Sequence, residues 1–410
     1  MGSSSQPPPR IRLGILPDYM EEGWASMDLT AAMTSDLLVS NHAQVVEVTS
    51  LIPSFRSRLS KFPRLANTSF ARNMDRLINR SWDYPRAVKS QIRHRPFDVF
   101  HVMDHSYSQL AHALPAERVV ITCHDLDTFR CVLNPANEPR PLWFRAMTQR
   151  ILDGFRKAAA VACDSDATRR AILDHELLPE HKLMTIPLGI APEFQDQANP
   201  RADAEATRLL GESGPTELLH VGSTIARKRI DVLLDTFAIV RKHRPDARLI
   251  KVGGSLTPDQ IAHAESLGLM ESIKMLPFLD RSVVAAIYRR SALVLQPSEA
   301  EGFGLPLVEA MACGAVVIAS DIQVLREVGG TVTIFCPVAN PQAWAAIALE
   351  LLEERSTNPQ TWRQRQAVSR KYSLKYQWSN HVAHLVRLYQ QVVRQSDCES
   401  DNRSYVVKTY

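Results

Sequence analysis

Ser298-Glu299-Ala300-Glu301-Gly302-Phe303-Gly304-Leu305-Pro306-Leu307-Val308-Glu309-Ala310-Met311-Ala312-Cys313-Gly314 decides how this chain folds. The apolar run just before it, Ala292-Leu293-Val294-Leu295, predicts a buried strand. The chain then breaks into a glycine-containing loop, and Pro306 falls where the first turn of a helix accepts it. Glu301 stands before that helix and Glu309 inside its first turns, eight positions apart. Gly302 and Gly304 let backbone approach a ligand closely, and a new helix offers unpaired N–H groups to an anion. Such a corner suits phosphate at the amides and hydroxyls at the carboxylates, which together are the requirements of a sugar nucleotide.

Outward from this stretch the same alternation repeats. After it come strands at Ala315–Ala319 and Thr331–Phe335; before it, strands at Glu217–Gly222, Arg248–Val252 and Ile273–Leu276 alternate with helices at Ile230–Arg241 and Val283–Arg290. The first half carries apolar strand candidates at Ile11–Leu16, Phe97–Met103, Arg118–Cys123, Ala160–Cys163 and Met184–Ile190, with helices between several of them. Strands alternating with helices predict parallel sheets covered by helices on both faces. At 410 residues the chain exceeds one ordinary core, so two α/β domains are expected. The boundaries read as a disordered tail over 1–10, a first Rossmann-like domain over 11–195, a polar linker over 196–216 and a second Rossmann-like domain over 217–375. A helix over 376–395, with Trp378, Val382, Leu385 and Tyr389 at helical spacing, is expected to pack back on the first domain, before a polar tail over 396–410.

Composition narrows the partners. The formal net charge is +4 and 22% of residues are charged, so nothing calls for a polyelectrolyte, and nucleic acid is not expected. Six scattered cysteines without metal-ligand spacing suit reduced core thiols. No apolar run approaches the roughly 18 residues of a bilayer span, and the start lacks the apolar centre of a signal peptide, so a cytoplasmic protein is expected. Locally the balance differs: Phe55 to Arg95 holds eleven Lys or Arg against two acids, Asp75 and Asp83, interleaved with Phe62, Leu65, Phe70, Met74, Leu77, Ile78 and Trp82. That segment reads either as a solvated helical face or as a surface that meets an anionic membrane or guides an anionic acceptor.

In open α/β sheets ligands lie at the carboxyl ends of strands. His101, Asp104, His105, His124, Asp125 and Asp127 fall there in the first half, and His124 stands out because its strand ends at an adjacent acid. Gly23, in the loop after the first strand, would let amides face a phosphate.

The run Pro297 to Gly314, continued by Val316-Val317-Ile318-Ala319-Ser320, closely resembles the retaining family 4 glycosyltransferases of the GT-B fold. The likeness extends through Val221-Gly222 with Lys228-Arg229-Ile230-Asp231, through Val252-Gly253-Gly254 and Ile186-Pro187-Leu188-Gly189, and more thinly to Cys123-His124-Asp125 and Asp164-Ser165. It implies two Rossmann-like domains facing a cleft and transfer of a sugar from a nucleotide-diphosphate donor to a hydroxyl acceptor, glycan or lipid-linked. No cofactor or metal is implied. By position, Glu301 would meet the transferred sugar, amides of Phe303, Gly304 and Leu305 the sugar and diphosphate, and Glu309 the ribose. Lys228, with Arg229 beside it, would neutralise the departing diphosphate. His124 would face the donor sugar, Gly23 the phosphates, and Leu276 to Leu279, with Phe278, the base. Donors in the family are mainly UDP- and GDP-sugars, and GDP-mannose leads because mannosyl transfer is common among similar chains. Two departures stand out: Ser223 occupies a position where many relatives have arginine, with Arg227 or Arg229 as substitutes, and Glu22-Gly23 replaces paired glycines. The alternatives are a non-catalytic nucleotide-sugar-binding protein and another GT-B activity such as an epimerase.

Overall fold

The computed structural model describes residues 10–63, 68–214 and 216–407, without the side chains of Ala25 and 399–407. Met1 to Pro9 and Leu65 therefore lie outside the described residues. The chain divides into two compact units, Met1–Leu188 with Trp378–Tyr410, and Gly189–Gln377.

The first unit holds β1 (Ile11–Leu16), β2 (Val46–Ser50), β3 (Val99–Val102), β4 (Val119–Cys123), β5 (Ala160–Cys163) and β6 (Leu183–Thr185). They form one parallel sheet in the order β2-β1-β3-β4-β5-β6. Alternate residues serve opposite faces, as the pleat requires. Phe100 and Val102 join a core with Tyr84, Phe129 and Phe155, whereas Val99 and Met103 join another with Leu38, Val382 and Leu388.

That second core depends on the helix Trp378–Val407. Val382, Leu385, Tyr389 and Val392 are fully buried. The Tyr389 hydroxyl lies 2.7 Å from His101 Nδ1, and the other ring nitrogen of His101 lies 2.8 Å from Thr122 Oγ1. Burial, with His381 and His124 adding to it, pushes the His101 pKa down to about 3, so this histidine is a neutral structural group.

The second unit holds β7 (Glu217–Val221), β8 (Arg248–Val252), β9 (Ile273–Leu276), β10 (Leu293–Gln296), β11 (Val317–Ser320) and β12 (Ile334–Cys336). Its parallel order is β12-β11-β10-β7-β8-β9. One face of this sheet, through Leu218, Leu249, Leu295 and Ile318, forms a core with the helices Ile230–His243 and Pro341–Thr357, around Phe237 and Trp344.

Three boundaries differ from the sequence reading, the first being that the opening segment of the first unit ends at Leu188 rather than at 195. The stretch 196–216 holds the helix Pro200–Leu210, capped by Asn199 and tied to the second unit by Asp203, 2.5 Å from Arg289. The helix expected to end at 395 continues to Val407, so the polar stretch begins in mid-helix. All six cysteines are free thiols, five of them buried. Among the described residues no helix is long and apolar enough to cross a membrane.

The basic segment is a built element. Helix Ser69–Ile78 runs through a π-helical turn, Asn79–Asp83, into helix Tyr84–His94. Asp75 is buried and accepts from the Arg58, Leu59 and Ser60 amides and the Ser60 hydroxyl. Burial alone would raise its pKa, but these donors pull it down to about 2. Asn79 pins the same loop at Arg56, and Asp83 pairs with Arg58 at 2.8 Å. The two acids of the segment therefore hold its backbone in shape and leave most of its cations to the surface.

Candidate functional site

In the second sheet the chain runs from β7 outward to β9, returns to β10 beside β7, and runs outward on the other side. The reversal between β7 and β10 is the place where a parallel sheet opens a crevice at its carboxyl ends. Lys228 follows β7 and Glu301 follows β10, so strands that pair side by side bring together residues 73 positions apart.

Their contact is direct. Lys228 Nζ donates to Glu301 Oε1 at 2.5 Å, and Gln296 Nε2 donates to the same oxygen at 3.1 Å. Arg227 reaches Glu301 Oε2 at 3.1 Å and the Ala300 carbonyl at 2.8 Å. The side chains of Lys228 and Glu301 are only 10% and 5% exposed, so the pair is shielded from water. Burial would raise the glutamate's pKa, yet the two cations bring it down to about 2.

Under this pair the backbone is fixed by a second lysine. Lys251 of β8 is fully buried and donates to the Gly222 and Val252 carbonyls. Burial and the neighbouring charge of Lys228 push its pKa down to about 8. Gly253, at φ +100°, must be glycine here, because a Cβ would come within 2.8 Å of the Gly222 oxygen. Lys251 and Gln296 carry no sequence signal for this cluster, and Arg227 carries one only as a stand-in at Ser223. Their signal is strand adjacency, which sequence spacing does not display.

The loop after β10 turns into helix Leu305–Ala312 through Gly304, at φ +96° and ψ +49°, with Pro306 in the first turn. The left-handed backbone at Gly304 favours glycine, and a Cβ there would also press on the Leu325 side chain at 2.7 Å. Phe303 is buried edge-on against Tyr376, which fixes its amide beside those of Gly304 and Leu305 at the helix start. Glu309, half-buried, accepts from the Tyr288 hydroxyl at 3.3 Å. Burial pushes its pKa up to about 7 against the pull of Tyr288 and Arg281. A carboxylate so placed has unused acceptor capacity for incoming hydroxyls.

Other predicted residues sit apart from this cluster. Arg229, at φ +49°, turns to Asp231 at 2.7 Å and Glu299 at 3.2 Å, so of the two candidate substitutes only Arg227 reaches Glu301. Phe278 is 71% exposed and Leu279 half-buried, on the loop after β9.

The first unit carries Gly23 and His124. Gly23 closes a short turn at φ +76°, and its amide donates to the Met20 carbonyl at 3.0 Å. His124 is buried at the end of β4, with Nδ1 2.6 Å from Asp164 and Nε2 3.1 Å from the Met103 carbonyl. Burial would lower its pKa, but Asp164, Asp104 and Asp125 raise it to about 10, so it is an imidazolium with both ring nitrogens engaged. Beside it, His105 sits 3.3 Å from Asp104 and 3.6 Å from Asp125. Asp18, buried at the end of β1 with neither oxygen hydrogen-bonded, is pushed up to about 7 by burial and then by Asp104. Asp18 carried no signal in the sequence beyond its place after a strand.

Two family models match the chain: Glycosyltransferase Family 4 over residues 37–194 and Glycosyl transferases group 1 over residues 204–368. The serotype-specific mannosyltransferase WbdA of Escherichia coli is 27% identical over 285 residues, 67% of this chain and 34% of WbdA. The chain thus spans about a third of that relative's length. The O-antigen chain mannosyltransferase B of Escherichia coli is 27% identical over 280 residues, 67% of this chain and 70% of the relative. Among solved structures, sucrose-phosphate synthase from Thermosynechococcus elongatus superposes with a TM-score of 0.71 at 18% identity, over 94% of this chain and 100% of that one. The resemblance to the family 4 glycosyltransferases therefore holds in both halves of the chain, which carries a glycosyltransferase family 4 domain followed by a group 1 glycosyl transferase domain on the GT-B fold.

Proposed function

We propose that the chain transfers a sugar, with retention of configuration and without a metal ion, from a nucleotide-diphosphate sugar to a hydroxyl of a glycan or lipid-linked acceptor. The observation that carries this reading is the shielded Lys228–Glu301 pair at the reversal between β7 and β10, with Arg227 beside it. The barrier to such a transfer is charge: a diphosphate departs while the sugar becomes cationic. Two cations and a helix start, held in place before the donor arrives, stabilise the departing diphosphate without reorganising. In this reading Lys228 and Arg227 supply the positive charge that a divalent ion would otherwise bring. Glu301 takes up sugar hydroxyls, Glu309 takes up the ribose, and the amides from Phe303 to Leu305 take up phosphate oxygens. The departing phosphate accepts the acceptor's proton on the same face. His124, already paired with Asp164, orients the loop after β4 and presents positive charge there.

GDP-mannose is the leading donor, in keeping with the mannosyltransferases named above. Thermal-shift screening with UDP, GDP and ADP and their sugars is expected to show GDP and GDP-mannose raising the melting temperature most. A larger shift with the UDP pair would reassign the base. Incubation with the stabilising donor is expected to show slow hydrolysis, and binding with no turnover would make the chain a binding protein instead.

The first unit is also proposed to touch the cytoplasmic face of an anionic membrane through 55–95. Phe62, Phe70 and Trp82 are each about 60% exposed among the segment's cations, and the Arg86 guanidinium lies over the Trp82 ring at 3.0 Å. Basic residues beside exposed aromatics favour an anionic interface. The protein is expected to sediment with phosphatidylglycerol vesicles at low salt and to be released by 0.5 M salt as roughly complete screening sets in. Absence of sedimentation at low salt would remove this part of the reading.

A further inference from the structure

The geometry points to a phosphate-binding subsite in the first unit, built by Arg76, Arg80 and Arg150, that holds a phosphate group of the acceptor; this rests on the transfer reading above. The three arginines line one cavity of about 210 Å³ together with Glu22, Gln109 and Ile151. Pockets that enclose whole small molecules run to roughly 300–1,000 Å³, so this one is sized for a charged group with the remainder of its ligand outside.

Its location follows from topology. The first sheet runs from β1 outward to β2 and then returns to β3 on the other side of β1, so its reversal lies between β1 and β3. Glu22 stands on the turn just after β1 and Gln109 on the stretch His105–Ala113 just after β3. The cavity is thus at the carboxyl-end crevice of its sheet, where ligands of such sheets bind. Its wall is rigid: helix Leu142–Phe155, which carries Arg150 and Ile151, packs so closely that a Cβ at Gly154 would lie 2.1 Å from the Ser108 oxygen.

The cations are positioned and uncompensated. Arg80 sits in the π-helical turn Asn79–Asp83, over the Tyr107 ring at 4.5 Å, and donates to the Ser106 carbonyl. Glu22, the one acid lining the cavity, accepts from the Tyr107 hydroxyl at 3.0 Å. Among the described residues no carboxylate pairs with Arg76, Arg80 or Arg150. Three guanidinium groups facing one glutamate leave an excess that a carboxylate would only half balance and a phosphate monoester, at about −2, would balance fully. Guanidinium planes also match phosphate oxygens two at a time. A membrane surface would be met by exposed side chains such as Phe70 and Trp82, whereas the half-buried Arg76 and Arg80, with the more exposed Arg150, line one recess.

The test is calorimetric titration of the full chain, with the donor site saturated by nucleoside diphosphate, using glycerol 3-phosphate, glycerol and dodecyl phosphate in neutral detergent micelles. Glycerol 3-phosphate is expected to bind where glycerol does not, and Arg76→Gln/Arg150→Gln to weaken it tenfold or more without a change in melting temperature. The pair leaves Arg80 and its structural contacts in place. Much tighter binding of dodecyl phosphate would assign a lipid-linked phosphate and equal binding a water-soluble one. Unaltered binding in the double variant, or binding abolished by saturating the donor site, would overturn the inference. A chain that bound the phosphate monoester but no nucleotide would refute the transfer reading and leave this subsite standing.

Discussion

Lys228→Met is expected to lower turnover on the order of 10²–10³-fold, the effect of removing one preorganised group aimed at developing charge. It is also expected to destabilise the second unit, because Glu301 would remain buried with Arg227 at 3.1 Å as its remaining cation. Breaking a shielded pair from one side costs about 3 kcal/mol, or roughly 5–10 °C in melting temperature for a unit of this size. The two effects separate in the double variant Lys228→Met/Glu301→Gln, which removes the stranded charge. Its melting temperature is expected to recover most of the loss while turnover stays low. Steady-state kinetics beside thermal melting checks this, and a double variant that regained turnover would show that Lys228 acts only by holding Glu301.

Glu309→Ala is expected to weaken nucleotide affinity on the order of 100-fold with the fold intact, since two hydroxyl donors to a carboxylate contribute about 2–3 kcal/mol together. Unaltered affinity by calorimetry would remove the ribose assignment. The raised pKa, about 7, adds a pH signature. Ribose hydroxyls bind best to the ionised carboxylate, so nucleotide affinity is expected to be full above pH 7 and to fall as pH drops below it, with uptake of a proton on release. The sign for stability is opposite. An acid whose folded pKa is raised stabilises the fold while protonated, below its ordinary range, and that stability is lost as pH rises through about 7. Glu309→Gln, which cannot ionise, is therefore expected to melt higher than the parent at pH 8 by an amount on the order of 2 kcal/mol, and equally at pH 4.

The opening stretch was legible because each of its features has a local cause. Strand Leu293–Gln296, the left-handed Gly304 and helix Leu305–Ala312 with Pro306 in its first turn all follow from residues within reach of one another. β2 escaped because Val46-Glu47-Val48-Thr49-Ser50 is a short edge strand, charged on one face, without the apolar run of its neighbours. Helix Pro200–Leu210 was hidden by polar composition, although Asn199 before Pro200 is a capping signal that its structure uses. In the site, sequence proposed Lys228 and Glu301 separately, but their contact needs the β7–β10 pairing, and Asp164 beside His124 needs β4 next to β5. The choice of Arg227 over Arg229 depends on one left-handed residue that turns the second side chain away.

The position of helix Trp378–Val407 in the chain has a kinetic meaning. The second unit is one uninterrupted segment, Gly189–Gln377, whereas the first must recruit Val382, Leu385 and Tyr389 from beyond it. In a chain emerging in order, the second unit is complete while one face of the first sheet is covered only in part, by residues such as Ala31 and Leu38. His101 waits 288 residues for the hydroxyl of Tyr389. Closing so long a loop is slow compared with folding the intervening segment. The second unit is thus the early product of folding, and the first unit is sealed last, which makes its incompletely covered β-sheet face the stretch of this protein most in need of protection during synthesis.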